Sequence, residues 1–368
     1  MKGMIATLLS RWTTYLPLIS AVLLALTWGR DIPGVIVAVV TAALIGVVLA
    51  AVYHAEIVAH RVGEPFGSLI LAVAVTVIEV ALIVTMMLSG GEKAATLARD
   101  TVFAAVMITC NGIVGLVLLV AALRRRVAVF NAEGTGAALA TVATLATLSM
   151  VLPTFTTSKP GPEFSPAQLG FAAVASLALY ALFVMVQTVR HPDDFLPVED
   201  AGVVDDTDEP DDHGRPTGKA ALVSLGLMML ALVCVVGLAK VVSPALESGI
   251  ASVGLPQSAV GVVIAMLVLL PETIAAVKSA RRSRVQIGLN LALGSAMASI
   301  GLTIPVIALA TIWLTGPLVL GLGATQMVLL AVTVVVGALT VVPGRATLLQ
   351  SGVHLSIFAA FLFLAASP

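Results

Sequence analysis

"MLVLLPETIAAVKSARR", residues 266–282, decides how this chain is read. An apolar run from Val260 to Leu270, broken only by Gly261, leads to a proline, Pro271, and then to a carboxylate, Glu272. Apolar residues resume before the cations Lys278, Arg281 and Arg282. Pro271 removes a backbone N–H and clashes one turn back, near Leu267, freeing a carbonyl beside the acid. A carboxylate at bilayer depth costs at least about 2.5 kcal/mol. Both features are unfavourable in a plain apolar helix, so the segment calls for a setting that uses them.

The composition supplies that setting. Of 368 residues, 59% are hydrophobic and 11% charged, with a mean hydropathy of +1.10. A soluble domain needs about 25% charged residues. A net charge of −1 gives no nucleic-acid footprint. Eleven apolar segments recur, roughly 13–29, 33–54, 66–90, 100–123, 136–152, 166–188, 219–242, 256–280, 285–314, 323–342 and 350–366. Backbone groups in lipid must be satisfied internally, so each reads as a helix. The expected fold is an all-α polytopic membrane protein of about eleven transmembrane helices. The two cysteines, Cys110 and Cys234, lie inside apolar runs and read as buried small hydrophobes. The first segment follows Lys2 and Arg11 without a small-residue cleavage site and reads as a retained helix.

Cations set the orientation. With the N-terminus cytoplasmic and the segments alternating, fourteen of the nineteen Lys and Arg residues fall on the cytoplasmic side, the triplet Arg124 to Arg126 and the cluster Arg281 to Arg284 among them. The C-terminus then lies outside. Residues 190–218 carry ten of the twenty acids and four prolines, and read as a solvated cytoplasmic tether, or as a low-affinity cation collector. This linker divides the chain into 1–30, an extra N-terminal helix, 31–189 and 219–368. The last two hold five segments each on opposite starting sides, the inverted-repeat plan of secondary transporters.

Outside the linker, two acids lie at membrane depth: Glu79 and Glu272, each in the second segment of its repeat. "GEPFGSLILAVAVTVIE" (63–79) and "GLPQSAVGVVIAMLVLLPE" (254–272) share the order Gly, Pro, apolar stretch, Glu. Thr76, one turn from Glu79, offers a hydroxyl where Glu272 has Pro271. The third segment of each repeat has a polar, small-residue face, with Thr109 and Asn111 in the first and Asn290, Ser295 and Ser299 in the second. Small residues also permit close helix packing, the plainer reading for Thr109, Ser295 and Ser299. Two carboxylates with amide, hydroxyl and backbone oxygens make an all-oxygen site for a hard cation such as Ca²⁺, Na⁺ or Mg²⁺, with no histidine expected nearby. Emptied of cation, the carboxylates take up protons, which is the basis of an exchange mechanism. No resident cofactor is expected, and the partners are Ca²⁺, Na⁺, H⁺ and the bilayer.

"GEPFGSLILAVAVTVIEVALIV" (63–84), "ARDTVFAAVMITCNGIVGLVLL" (98–119) and "LLPETIAAVKSARRSRVQIGLNLALGSAMASIGLTIP" (269–305) resemble the alpha-1 (about 63–120) and alpha-2 (about 256–306) repeats of ChaA-type bacterial calcium(sodium)/proton antiporters, in the cation/calcium exchanger superfamily. The resemblance implies the exchanger fold, cation/H⁺ antiport, the bacterial cytoplasmic membrane and one essential glutamate per repeat, mapping to Glu79 and Glu272. The chain departs from the frequent G-N-x-x-E core, with Thr76 and Leu269 where that pattern has Asn.

Glu64 and Asp100 are secondary candidates that also suit helix N-termini electrostatically. His54, Glu56, His60 and Arg61 read as a solvated loop cluster, and His354 carries no assignment. An Na⁺/H⁺ antiporter that ignores Ca²⁺ is the alternative within the class. A channel is a poorer fit to inverted repeats, and an intramembrane enzyme lacks H-E-x-x-H and G-x-S-x-G motifs.

Overall fold

The computed structural model describes residues 12–30, 32–63, 66–90, 95–198, 216–252, 254, 256, 258–313 and 316–367. Glu64 and linker residues 199–215 lie outside these. The helices, in chain order, are α1 (Trp12–Thr27), α2 (Gly34–Val62), α3 (Phe66–Gly90), α4 (Leu97–Met107), α5 (Val114–Arg125), α6 (Ala132–Ala146), α7 (Pro166–Met185), α8 (Gly218–Ser252), α9 (Ser258–Val268), α10 (Leu270–Arg281), α11 (Val285–Ala310), α12 (Ala324–Val341) and α13 (Leu348–Ala366). A π-helical segment, Ile108–Ile113, joins α4 to α5 without a break. Two short strands, β1 (Val127–Val129) and β2 (Arg345–Thr347), pair antiparallel.

These elements follow the apolar segments in order. Among the described residues, eight helical stretches are long and apolar enough to cross a membrane. The pair α9 and α10, bent by 50°, makes a ninth if counted as one span, and α1 and residues 73–88 of α3 are shorter apolar helices.

The chain forms two compact units, each drawing on both halves of the sequence. The first comprises Met1–Met86 and Asp200–Ser248. Within it, α1 lies against α8 where Gly237 meets Leu24; a Cβ at Gly237 would stand 2.6 Å from Leu24 Cδ1. Pro17, inside α1, has no N–H to give the Thr13 carbonyl one turn back. His54 Nε2, 3.1 Å from that carbonyl, supplies the donor, and His54 Nδ1 faces the Ser224 hydroxyl at 3.3 Å. His54 is 3% exposed. The solvated loop expected at residues 54–61 is therefore absent. Helix α2 continues to Val62 and stops at Gly63, whose φ of 82° few other residues adopt. Helix geometry turns His54 inward while Glu56, His60 and Arg61 stay exposed.

The second unit comprises Met87–Glu199 and Gly249–Pro368. Its centre is the continuous helix 97–125, 78% buried over its most apolar window, with α11 next at 61%. Polar segments gather at the two ends of this unit. One end holds β1 and β2, the turn after α10, where Arg124 donates to the Arg281 carbonyl, and the Asn131 cap of α6. At the other, Val319 N donates to the Ala95 carbonyl, Gly321 N to that of Pro162 and Leu322 N to that of Met150. Successive membrane crossings require this assortment.

The linker's first residues are folded rather than tethered. Pro192–Phe195 makes a 3₁₀ turn, Phe195 is buried with its ring edge-on to Phe183 at 5.6 Å, and Asn290 Nδ2 donates to the Phe195 carbonyl at 2.6 Å. The turn sits over Gly134, where a Cβ would collide with the Asp194 carbonyl. Aromatic burial outweighs the local charge and proline content that reads as a tether. The variant Gly134→Ala is expected to lift this turn and speed trypsin cleavage after Arg190 about fivefold or more. Limited proteolysis in detergent checks it, and unchanged cleavage would show that the turn is held elsewhere.

Candidate functional site

In the second unit the site begins at the helix break. Leu269, with φ −85° and ψ 0°, ends the run of α9, and Pro271 lies in the first turn of α10. Proline is favourable at that position, since its missing N–H belongs to the first turn, whose donors have no partner within the helix. The Leu269 carbonyl accepts both the Thr273 N–H (2.9 Å) and the Thr273 hydroxyl (2.7 Å). Glu272 follows in the same turn, 5% exposed, where the positive end of the helix dipole favours a carboxylate. Lys278 and Arg281 occupy the last turn, the complementary arrangement.

Helix α10 packs on α11 and α5 and touches the π segment. That segment holds Thr109 and Asn111, both fully buried. π turns insert an extra residue into the helical ladder and occur often at functional sites. The Thr109 hydroxyl donates to its own helix, to the Ala105 carbonyl at 2.7 Å. Asn111 reaches further: its Nδ2 donates to Met107 Sδ one turn back (3.9 Å) and to the Thr333 hydroxyl (2.9 Å) on α12, and its Oδ1 lies 3.3 Å from His354 Nδ1 on α13. His354 Nε2 lies 3.1 Å from the Thr340 hydroxyl. A histidine thus stands against the polar face where none was expected. Its partner is 243 residues away in sequence, and the contact arises because α13 lies tight on α5, with His354 Cβ 3.3 Å from the place of a Cβ on Gly115. His354 is 2% exposed. A histidine as the one ionisable residue of a 19-residue membrane-length helix was the signal for it.

The remaining candidates divide. On α11, Ser299 is buried and Ser295 half-buried. Asn290 is committed elsewhere, accepting from Gln286 at 2.8 Å and holding the Phe195 carbonyl. Asp100, in the first turn of α4, accepts from Thr96 Oγ1 (2.8 Å), Arg99 Nε (2.9 Å) and Gln326 Nε2 (3.4 Å), and pairs with Arg99 Nη2 at 2.8 Å. Helix α9 crosses at this point over Gly261, where a Cβ would be 3.0 Å from the Asp100 carbonyl carbon.

The first unit carries the other acid. Glu79 and Thr76 lie one turn apart on α3, 2% and 4% exposed, with Ala74, Val75, Ile78, Ile83 and Met86 buried beside them. Ala74 packs with Ala55 of α2 and Met228 of α8. Among the described residues, no three His, Cys, Asp or Glu side chains gather as a metal centre.

Residues 32–189 and 223–366 match the family described as sodium/calcium exchanger protein. The chain belongs to this family. An exchanger is a transporter and not an enzyme, and its apolar helices make this one an integral membrane protein. Over 360 residues it is 46% identical to a Sinorhizobium fredii (strain NBRC 101917 / NGR234) chain that carries the name of an ionic transporter, y4hA, covering 97% of this chain and 96% of that one. It is 34% identical to the sodium-potassium/proton antiporter ChaA of Escherichia coli (strain K12), covering 94% and 93%. The fold is that of the solved H⁺/Ca²⁺ exchanger CAX, with a TM-score of 0.71 at 16% identity, over 97% of this chain and 87% of that one.

The exchanger's Asp100 has its oxygens engaged by three side chains. Asp100→Ala is expected to destabilise the protein by about 2–3 kcal/mol, since it strands Arg99 and Thr96. The melting temperature in detergent should fall by about 2–5 °C, while the cation concentration for half-maximal transport stays put. A large shift in that concentration with no loss of stability would make Asp100 an ion-site residue.

Proposed function

We propose that the protein is a secondary antiporter that exchanges Ca²⁺, and also Na⁺, for protons by alternating access, with Glu79 and Glu272 as the groups for which cation and protons compete. One observation carries the reading: in a chain of the exchanger family, each compact unit holds a buried carboxylate, Glu79 on an apolar helix and Glu272 at the break of an apolar helix pair, at equivalent places of the two sequence repeats. Two negative charges neutralise one Ca²⁺ without remainder. Left bare in a low dielectric, they bind protons instead, so one set of groups serves both substrates in turn. Thr76, Thr109, Asn111, Ser295 and Ser299 contribute oxygens beside the carboxylates, and Pro271 releases a backbone carbonyl for the same use. The protein works in the bacterial cytoplasmic membrane, with its N-terminus and the 190–218 linker on the cytoplasmic side and its C-terminus outside, as the distribution of Lys and Arg supports.

A second reading, monovalent cation/proton antiport without Ca²⁺, is favoured by the name of the E. coli relative, a sodium-potassium/proton antiporter. The first reading is favoured by the charge of two acids and by the H⁺/Ca²⁺ exchanger with the same fold.

Proteoliposomes with an imposed pH gradient separate these. Added Ca²⁺ is expected to collapse the gradient with wild-type protein, and neither Glu79→Gln nor Glu272→Gln to do so, although both fold. Collapse by Na⁺ or K⁺ alone assigns the second reading. Normal exchange by either glutamine variant would falsify the two-carboxylate site.

A further inference from the structure

Asn111 sits in a π turn, an irregular stretch of backbone whose polar side chain has more than one way to bond. The shortest contacts around it select one, with Met107 Sδ a weak further acceptor for both Asn111 Nδ2 (3.9 Å) and the Thr333 hydroxyl (3.6 Å). The Thr333 hydroxyl has a single proton and gives it to the Leu329 carbonyl at 2.7 Å. It can then only accept from Asn111, so the atom 2.9 Å away is the amide nitrogen Nδ2. That turns Oδ1 toward His354 Nδ1 at 3.3 Å. Oδ1 can only accept, so Nδ1 carries the hydrogen of a neutral imidazole, for which the neighbouring Cys110 carbonyl is a second acceptor on the same π segment, and Nε2 accepts from the Thr340 hydroxyl at 3.1 Å. Every hydrogen in the chain points the same way: Thr340 to His354, His354 to Asn111, Asn111 to Thr333, Thr333 to Leu329. A flipped amide would set Oδ1 against a hydroxyl whose proton is already committed.

We propose that His354 is a positioning residue of the exchanger: it holds the Asn111 carboxamide in one orientation, so that the polar face of the π turn meets the transported cation in a single state. The inference rests on the reading of Asn111 as a site residue, and adds to it a group from the last helix that touches no cation. Helix α10, whose first turn holds Glu272, contacts the same π segment, so a disordered Asn111 disturbs the surroundings of the helix that bears the carboxylate. The π segment is buried along its whole length, and the cavity of about 20 Å³ beside Cys110, Thr340 and His354 is lined mostly by apolar side chains, a poor place for a water to replace a lost partner.

The test uses the full chain in proteoliposomes, reading proton release against Ca²⁺ and Na⁺ concentration. His354→Leu is expected to raise the half-saturating cation concentration about tenfold while the maximal rate changes less. His354→Asn, whose amide nitrogen takes the place of ring Nδ1, should recover most of the loss, and His354→Gln, which matches Nε2 instead, should not. In an Asn111→Ala background, His354→Leu should add no further shift. A folded His354→Leu protein with the wild-type half-saturation overturns the proposal, as does full additivity of the two substitutions. If the leucine variant does not fold, equal behaviour of the Asn and Gln variants overturns it. Failure of the wild type to move protons with any cation removes the antiport reading instead. Positioning is then read from Ca²⁺-dependent melting: a tenfold higher requirement in His354→Leu supports it, and an equal one overturns it.

Discussion

A polar group that enters hydrocarbon must find its partner inside the protein, because no water is there to serve it. That constraint organises the whole chain. It turns the apolar segments into helices. It also makes every irregularity inside a helix a demand on a neighbour. Pro17 leaves the Thr13 carbonyl without its helical donor, and His54 answers from α2. The π turn sets Asn111 among helices, and Thr333 and His354 answer from α12 and α13. At the break before α10, the Thr273 hydroxyl adds a second bond to the Leu269 carbonyl, which already accepts the Thr273 N–H. In each case a deviation that lowers helix stability is offset by a hydrogen bond whose full strength is felt in a dry interior.

The helices were legible because length and apolarity are properties of a contiguous stretch, and the lipid requirement admits one answer. The broken pair at Pro271 and the buried Glu79 and Glu272 were legible for the same reason: a proline or an acid in an apolar run stands out against its own neighbours. What escaped depends on contacts between distant stretches. Residues 54–61 look like a loop, since two histidines, a glutamate and an arginine fall within eight positions. On a helix, those residues divide between faces, and only His54 turns inward. The turn at Pro192–Phe195 escaped because its anchor is one aromatic ring, set within acids and prolines that say tether. The π turn escaped because its residues, Ile-Thr-Cys-Asn-Gly-Ile, are weak helix formers that say where a helix is easily disturbed but not what form the disturbance takes.

His354 and His54 show a common use of imidazole in this protein. Each ring donates to a carbonyl-type oxygen on one side, the Thr13 carbonyl or the Asn111 amide, and faces a hydroxyl on the other, Ser224 or Thr340. A neutral imidazole is the side chain that offers one donor and one acceptor on a rigid frame. A serine or threonine could meet the same count, but its hydroxyl rotates and also bonds its own helix, as Thr109 and Thr333 do here. The ring cannot turn back on its helix in that way, so it commits its hydrogen to another element.

That rigidity matters for what an exchanger must do. Alternating access changes which side of the membrane reaches the site, while the groups that meet the cation must keep their relative geometry within a few tenths of an ångström for the ion to be recognised from either side. Side chains that move with a helix are not enough if their amides or hydroxyls can rotate. In the second unit the amide of Asn111 is held by a chain of hydrogen bonds that runs through α13 and α12, helices outside the repeat segments that carry the acids. The peripheral helices of the unit therefore do more than cover apolar surface. They set the direction of a polar group at the centre.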